Sequence, residues 1–393
     1  QLAAYYATAP VPQVPEIASR EFGIGEFGKK ISSRHLTFHN SAELGQFLSG
    51  CAPFYISYSN ALYDFPAARP MEAKAMRGAD LVYEFDADEI KTNCKLSHDS
   101  WTCTSATCLA SGKGRLLVCP ECGSGASAEE WVCQECLGAT KSQTKKLLSF
   151  LQDDFGFSEG ISLNFSGSKG FHIHVRGTYV RGLSKPARLE LLDYITATNL
   201  DVDVLGFFYN KTKNSFICPK KNEAKGWSKR ILDSVVAALE KNDISKIAVM
   251  GNITTAAAGK LLKEKPNILH HMGNGLLAFS TKGIDANKFW RHFTTFAISE
   301  EKIGLEVDRQ TSIDINKIIR VPNTIHGGTG LLAKEFSVEQ LGSFQPLDDS
   351  IAMAEAEIKV QNAVAPRFYL NRKWFGPYAG DEVSLPLYAA FYL

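Results

Sequence analysis

The sequence has almost no net charge: 43 lysines and arginines stand against 42 aspartates and glutamates, a formal +1. A globally basic nucleic-acid binder is therefore excluded, and any such surface must be a local patch. No run of about 18 apolar residues occurs, so no membrane-spanning helix and no membrane partner is expected. The opening "QLAAYYATAPVPQVPE" has no basic segment followed by an apolar stretch, so no secretory leader is expected there. There is no internal repeat and no low-complexity tract. Cysteine is scarce over most of the chain. Outside residues 94–136 only Cys51 and Cys218 occur; the other seven of the nine cluster there. A disulfide framework is disfavoured by that clustering, which reads instead as metal binding in a reducing compartment.

The 393 residues suffice for two or three domains with a sizeable core. Hydrophobic content of 45% with 22% charged is ordinary for a globular protein. "REFGIGEFGK" and "SRHLTF" predict a turn followed by a strand, and "SAELGQFLSG" a helix with a Ser cap and a terminal Gly. "APFYISYS" and "DLVYEFDAD" predict strands. Residues 91–137 read as a cysteine-rich insertion of turns, and 138–153 as a helix. "ISLNFSGSKGFHIHV" predicts two strands across a tight turn, with Phe171, Ile173 and Val175 on one face and His172 and His174 on the other. Residues 185–300 carry helical periodicity. Sheet signals return at 303–308 and near 318–334, and a last helix is expected at 351–362. The fold class is α+β: a mixed-sheet domain in two parts (1–184 and 301–393), a metal-binding insertion (91–137) and a helical subdomain (185–300).

"CPEC" (119–122) and "CQEC" (133–136) place Cys119, Cys122, Cys133 and Cys136 as two knuckles of a four-thiolate, closed, structural Zn2+ site. Cys94, His98, Cys103 and Cys108 could form a second zinc site with less regular spacing. The alternative is a mixed arrangement that draws ligands from both sets.

"YEFDAD" (83–88) places Glu84, Asp86 and Asp88 at alternate positions. On one strand face such carboxylates repel unless something positive lies between them. Asp86 and Asp88, about 7 Å apart by strand rise, could share a divalent pair, with Mg2+ or Mn2+ preferring such oxygen ligands. A solvated acidic strand end is the plainer reading of a lone DxD. In "SGSKGFHIH", Ser166, Gly167 and Gly170 allow close backbone approach to a phosphate, and Lys169 adds charge. An ordinary hairpin would also account for this turn. In "RVPNTIHGGTGL", Arg320 and His326 flank another glycine-rich turn. Lys211, Lys213, Lys220, Lys221, Lys225, Lys229 and Arg230, interleaved with Phe207, Tyr209, Phe216 and Trp227, form a candidate nucleic-acid surface or simply a solvated face.

In this order, along nearly the whole chain, these motifs resemble the small catalytic subunit of archaeal and eukaryotic DNA primases, the archaeal form most. The resemblance begins at "YYATAPVPQ…REFGIGEFGKK" and "RHLTF". It continues through "ADLVYEFDAD", the cysteine block, "DDFGFS", "LNFSGSKGFHIHV" and "IIRVPNTIHGGTGL", and ends at "LPLYAAFYL". It implies a primase-type catalytic domain that makes short primers on single-stranded DNA from nucleoside triphosphates. Asp86 and Asp88 would be catalytic metal ligands, with Asp308 as the third acid and Asp314 its competitor. Ser166, Gly167, Lys169, His172, His326 and Arg34 would bind nucleotide. Relatives often carry a lysine in the turn after the histidine; here the turn is "HGGTG", and Arg320 or Lys334 would supply the charge. The resemblance further implies a large regulatory partner subunit with an iron–sulfur domain, for which this chain has no spare four-cysteine set. Contacts with a replicative polymerase or helicase-associated factors are also expected. The site of action would be the cytoplasm or nucleoid, or the nucleus in a eukaryote. Three other functions compete: a primase-polymerase of DNA repair or end joining, a non-catalytic zinc-ribbon nucleic-acid binder, and a two-metal nuclease.

Overall fold

A computed structural model describes residues 1–304 and 307–393. The sheet signal at 303–308 therefore lies partly outside the described residues. The chain divides into two compact units: Gln1–Lys145 with Ser158–Glu190 and Leu305–Leu393, and Lys146–Phe157 with Leu191–Gly304. Among the described residues no helix is long and apolar enough to cross a membrane.

The first unit contains two four-stranded sheets. In one, Phe22–Glu26 lies between Tyr55–Ser59 and Lys29–Leu36, and Ile318–Arg320 takes the far edge. The expected turn at "REFGIGEFGK" is thus itself a strand and a hairpin. Gly25 permits close backbone approach, since a side chain there would meet the Lys30 carbonyl oxygen at 2.2 Å, and Gly28, at φ +75°, makes the reversal between the strands. Phe22, Ile56, Tyr58 and Val321 pack beneath this sheet against Leu44 and Leu48 of the helix Ser41–Cys51. That helix is capped by Asn40, whose side chain accepts from Glu43 N at 3.0 Å, not by Ser41.

The second sheet runs Glu335–Phe336, Ile161–Phe165, Gly170–Val175, Leu81–Asp86, all antiparallel. Phe171 lies opposite both Phe85 and Phe165, and Ile173 opposite both Tyr83 and Leu163. One face is therefore continuously apolar. The other collects Glu84, Asp86, Asn164, Gly170, His172 and His174. Both faces of Gly170–Val175 are buried, so the histidines are interior groups.

The helix expected at 351–362 is absent. Glu357–Ala365 is a strand paired with Tyr378–Pro386, and the terminal helix is Leu387–Tyr392. The Ala- and Glu-rich composition favours helix locally, but pairing with a strand some twenty residues on overrides that weak preference.

The second unit is mainly helical, with Gly226–Glu240 and Ala286–Glu301 packing Ile231, Val235, Phe289, Trp290 and Phe293 into one core. Residues 146–157, expected with the sheet portion, belong here: Arg230 pairs with Asp154 at 2.8 Å and lies over Phe150. A small sheet of Phe208–Asn210, Ser215–Ile217 and Leu276–Leu277 interrupts the helices. The candidate aromatic–basic surface is corrected in part. Phe207, Phe216 and Trp227 are core residues and offer no stacking face, whereas Lys211, Lys213, Lys220, Lys221, Lys225 and Lys229 are exposed.

Candidate metal and nucleotide site

Glu84 and Asp86 lie on the polar face of the strand Leu81–Asp86, opposite His172 and Gly170 respectively. The strand ends at Asp86, and Asp88 sits in the following turn. Gly170 is required by its position, because a methyl group there would lie 2.0 Å from Asp86 Oδ1.

Positive charge does lie among these acids, as like-charge repulsion demands. Lys169 Nζ is 2.5 Å from Asp88 Oδ2. Lys317 Nζ is 3.5 Å from Glu84 Oε2 and 3.4 Å from Asp308 Oδ2. Asp308 caps the helix Arg309–Ile313, where Oδ1 accepts from the backbone N–H of Gln310 (2.8 Å) and Thr311 (3.1 Å). Its own N–H donates to the Glu84 carbonyl at 3.2 Å. The Thr311 hydroxyl reaches both Glu84 Oε2, at 3.0 Å, and Asp308 Oδ2. Asp314, the competing acid, is exposed and closes a turn through Asn316 N.

These neighbours set the protonation states. Burial, then Glu84 and Asp88, push the Asp86 carboxyl up to about 7, against the pull of Lys169. Burial acts the same way on Glu84, but His172, Lys317 and Thr311 outweigh it and hold that carboxyl below the usual range. Asp308 is likewise lowered: burial opposes ionisation, and hydrogen bonds from Thr311 and the Lys317 charge overcome it.

A hard divalent cation fits this donor set. It is all oxygen, Asp86 is a crowded carboxyl that a cation would relieve, and Asp88 Oδ1 is buried without a partner among the described residues. The acids are not drawn into a tight cage, however, because Asp88 turns to Lys169, and Asp308 to Thr311 and Lys317.

The two glycine turns touch. Ser166 Oγ accepts from Gly170 N at 3.0 Å and from Ser168 N at 3.3 Å, closing the first turn. Gly167 has φ +81°, and a side chain there would strike His326 Cβ at 2.8 Å. Thr329 Oγ1 donates to the Gly167 carbonyl at 2.5 Å. His326 Nδ1 accepts from Gly328 N at 3.2 Å, which leaves Nε2 to carry the proton. Burial, then the charges of Arg320, Lys30 and Lys169, push His326 down to about 2, so it is a neutral donor. Arg320 lies 5.0 Å over the Tyr55 ring, with Nη1 buried and unpartnered among the described residues. That is a donor free for an anion, and it favours Arg320 over Lys334 as the substitute for the missing lysine. Arg34 is not free: its Nε and Nη2 donate to Glu21 Oε1 (3.0 Å) and Oε2 (3.2 Å), and Glu21 is wholly buried.

Glu21, Lys30, Asn164 and Lys317 have no motif spacing of their own and are found only through contacts. Glu84 stands in plain view within "YEFDAD", yet the DxD pair draws attention from it.

The cysteines also fall together, but not as consecutive knuckles. Cys94, His98, Cys133 and Cys136 form one set and Cys103, Cys108, Cys119 and Cys122 the other, each with donors within 4.8 Å of one another. This corrects the expected grouping of Cys119 and Cys122 with Cys133 and Cys136. The reason is nesting. The strand Ser100–Cys103 pairs with Ser111–Lys113 and Ala126–Glu129, which folds residues 103–122 inside the outer segments. The inner loop closes on itself, and the outer arms meet at the start of the helix Gln134–Ser149. Both donor sets suit Zn2+. In the outer one, His98 Nδ1 is 2.7 Å from Asp99 Oδ1, which turns Nε2 toward the thiols.

Residues 120–338 match the family described as DNA primase small subunit. The chain is similar over its length to DNA primase small subunits of three archaea. Identity is 28% to that of Cenarchaeum symbiosum (99% of this chain, 92% of the relative). It is 29% for Methanothrix thermoacetophila (99% and 94%) and 27% for Nitrosopumilus maritimus (99% and 93%). On these matches the chain belongs to the DNA primase small subunit family.

Proposed function

We propose that this chain is a DNA primase subunit that synthesises short RNA primers on single-stranded DNA by two-metal nucleotidyl transfer. The observation that carries the reading is a continuous set of contacts. It runs from Asp308 through Lys317 and Glu84 to the acidic strand, then through Gly170 and Lys169 to the Ser166–Gly170 turn, and on to His326 through Thr329. Acids for a divalent metal and donors for a triphosphate thus adjoin one another.

Asp86, Asp88 and Asp308 would hold Mg2+ or Mn2+, with Glu84 as a fourth oxygen donor. When bound, the ions supply positive charge to the triphosphate and ease deprotonation of the attacking 3′-hydroxyl. The chain's own residues bind and orient. His326 Nε2–H and the unpartnered Arg320 Nη1 donate to phosphate oxygens. Lys169 is the cation shared between Asp88 and the phosphates, and the Ser166–Gly170 turn lets a phosphate approach its backbone. His172 serves the same subsite, and Arg34, steered by Glu21, borders it. No protein nucleophile is needed. The two cysteine sets hold structural Zn2+. The relatives are named small subunits, which supports a larger partner subunit for this chain as well.

The test is labelled-nucleotide incorporation on unprimed single-stranded DNA with Mg2+ or Mn2+, comparing the folded, zinc-loaded chain with Asp86→Ala/Asp88→Ala. Short products from the unaltered chain alone are expected. Extension only from an added primer would favour the repair polymerase. No product from either protein, even with a large subunit present, would sink the reading.

A further inference from the structure

A buried polar chain leads from the acidic strand into the sheet interior. Glu84 Oε1 lies 3.0 Å from His172 Nε2. His172 Nδ1 is 3.3 Å from Asn164 Nδ2, and Asn164 Oδ1 is 3.0 Å from His174 Nε2. Asn164, His172 and His174 are 1%, 4% and 1% exposed, so water does not satisfy them. The strand pairing sets Asn164 directly opposite His172.

The orientation of the Asn164 amide follows from a third contact. Its Nδ2 also donates to the Phe165 carbonyl at 3.3 Å. A carbonyl only accepts, so the amide nitrogen must be the atom on that side. The amide oxygen therefore faces His174, which must donate from Nε2–H. The second amide hydrogen faces His172 Nδ1, which must then be the lone-pair nitrogen. Two donors cannot meet there, so the His172 proton belongs on Nε2, on the side of Glu84.

We infer that Asn164 is a positioning residue that fixes His172 as the Nε2–H tautomer, so that this nitrogen stands ready to donate to a nucleotide phosphate oxygen. The phosphate role rests on the function proposed above; the tautomer does not. Glu84 gives up this donor without being left bare, since Thr311 and Lys317 still face its other oxygen. His174 anchors the far end. Its ring stacks on Tyr58 at 6.2 Å, and burial beside Arg176 holds it neutral.

The experiment uses full-length zinc-loaded protein labelled with 15N-histidine. Two-bond proton–nitrogen correlations report the tautomer, and His172→Gln identifies the His172 signals. The unaltered chain should show His172 as Nε2–H. Asn164→Asp presents a carboxylate oxygen to Nδ1 and should draw a proton onto that nitrogen, so that with Glu84 still at Nε2 the ring carries both protons. Asn164→Leu removes the amide donor at Nδ1 while Glu84 stays at Nε2, and should let the Nδ1–H form appear beside Nε2–H; it also provides a second variant if the buried aspartate prevents folding. With the wrong tautomer the KM for nucleotide should rise about tenfold with little change in kcat, as expected for a hydrogen bond to a charged group made equally in ground and transition states. A His172 already in the Nδ1–H form, or one unmoved by either substitution, overturns the inference. A switched tautomer with unchanged KM overturns only the phosphate role of His172.

Discussion

Gly170 faces Asp86 across the strand pair so closely that a methyl group on the glycine would lie 2.0 Å from Asp86 Oδ1 and 2.3 Å from the Phe85 carbonyl oxygen. Gly170→Ala should therefore displace the central acid while leaving the zinc sets intact. Overpacking of this kind costs about 1–3 kcal/mol of stability. Misplacing a reacting group by about 1 Å costs roughly a hundredfold in rate. The expected result is a folded protein with full zinc content and nucleotide incorporation reduced about a hundredfold. Full activity in Gly170→Ala would remove Asp86 from the metal site.

Lys169 is bound to Asp88 and also stands in the Ser166–Gly170 turn proposed to take a phosphate. Metal and lysine should thus compete for Asp88, and triphosphate should relieve the competition by engaging the lysine. Lys169→Met should tighten Mn2+ binding without nucleotide by no more than about fivefold, because a half-exposed ion pair is weak. The same change should raise the nucleotide KM by about tenfold, the scale of a lost charge-assisted hydrogen bond. Mn2+ electron paramagnetic resonance titration and steady-state kinetics separate the two effects. Weaker Mn2+ binding in the variant would contradict competition.

Glu84 and Asp88 flank Asp86 with different claims on a metal. Glu84 shares its strand face and lies against Asp308 through Thr311 and Lys317. Asp88 lies beyond the strand end but keeps one buried oxygen unpartnered. Shared-face geometry is the stronger constraint, since it fixes direction as well as distance. Asp86→Asn, Asp308→Asn and Glu84→Gln should each lose about a hundredfold or more in incorporation, and Asp88→Asn about tenfold, as removal of inner and outer charge-stabilising groups implies. A larger loss in Asp88→Asn than in Glu84→Gln would restore the DxD pair as the inner ligands.

That contrast marks how far the sequence could be read. The alternation in "YEFDAD" announces a strand with an acidic face, and the need for positive charge between its acids is sound. It does not tell where the strand stops, and that end leaves Asp88 in the turn, two residues beyond the last paired acid. Nor could it locate the cation: Lys317 meets Glu84 across more than two hundred residues of chain. His172 is visible beside its glycine turn, but its tie to Asn164 depends on strand register, which local pattern leaves open. The strand at Glu357–Ala365 shows the converse, a segment of helical composition drawn into a ribbon by its partner.

The Asp86 carboxyl, raised to about 7 from 3.8 by burial and by Glu84 and Asp88, gives a pH signature. Between those two values the folded chain keeps a proton that the unfolded chain has released. This group's contribution to stability therefore falls as pH rises through that window. A bound metal takes the proton's place, so Mn2+ affinity should rise with pH, by up to about tenfold per unit, and level off above about 7. Thermal unfolding with and without Mn2+ from pH 5.5 to 8 should show a metal-induced gain that grows toward the upper end. A gain independent of pH would show that no raised carboxyl lies at the site.

The nested cysteine sets make a prediction that the order of the motifs would reverse. If consecutive knuckles shared an ion, Cys119 and Cys133 would belong to one site. In the structure they belong to different sites, Cys119 with Cys122 and Cys133 with Cys136. Each ion needs four ligands, and loss of one thiolate opens a closed structural site. Cys119→Ser/Cys122→Ser should hence strip one zinc and leave one per chain, while Cys119→Ser/Cys133→Ser should strip both. Elemental analysis of protein dialysed against a mild chelator gives the count. The inner loop, residues 103–122, carries its four ligands within itself, so its loss should leave the helix Gln134–Ser149 in place. Loss of the outer set frees the start of that helix, and with it Trp131, whose backbone N–H is held by Asp99 at 3.1 Å. The outer double variant, Cys133→Ser/Cys136→Ser, should accordingly unfold at lower temperature than Cys119→Ser/Cys122→Ser. One zinc retained in Cys119→Ser/Cys133→Ser would return the ligands to the order in which the sequence presents them.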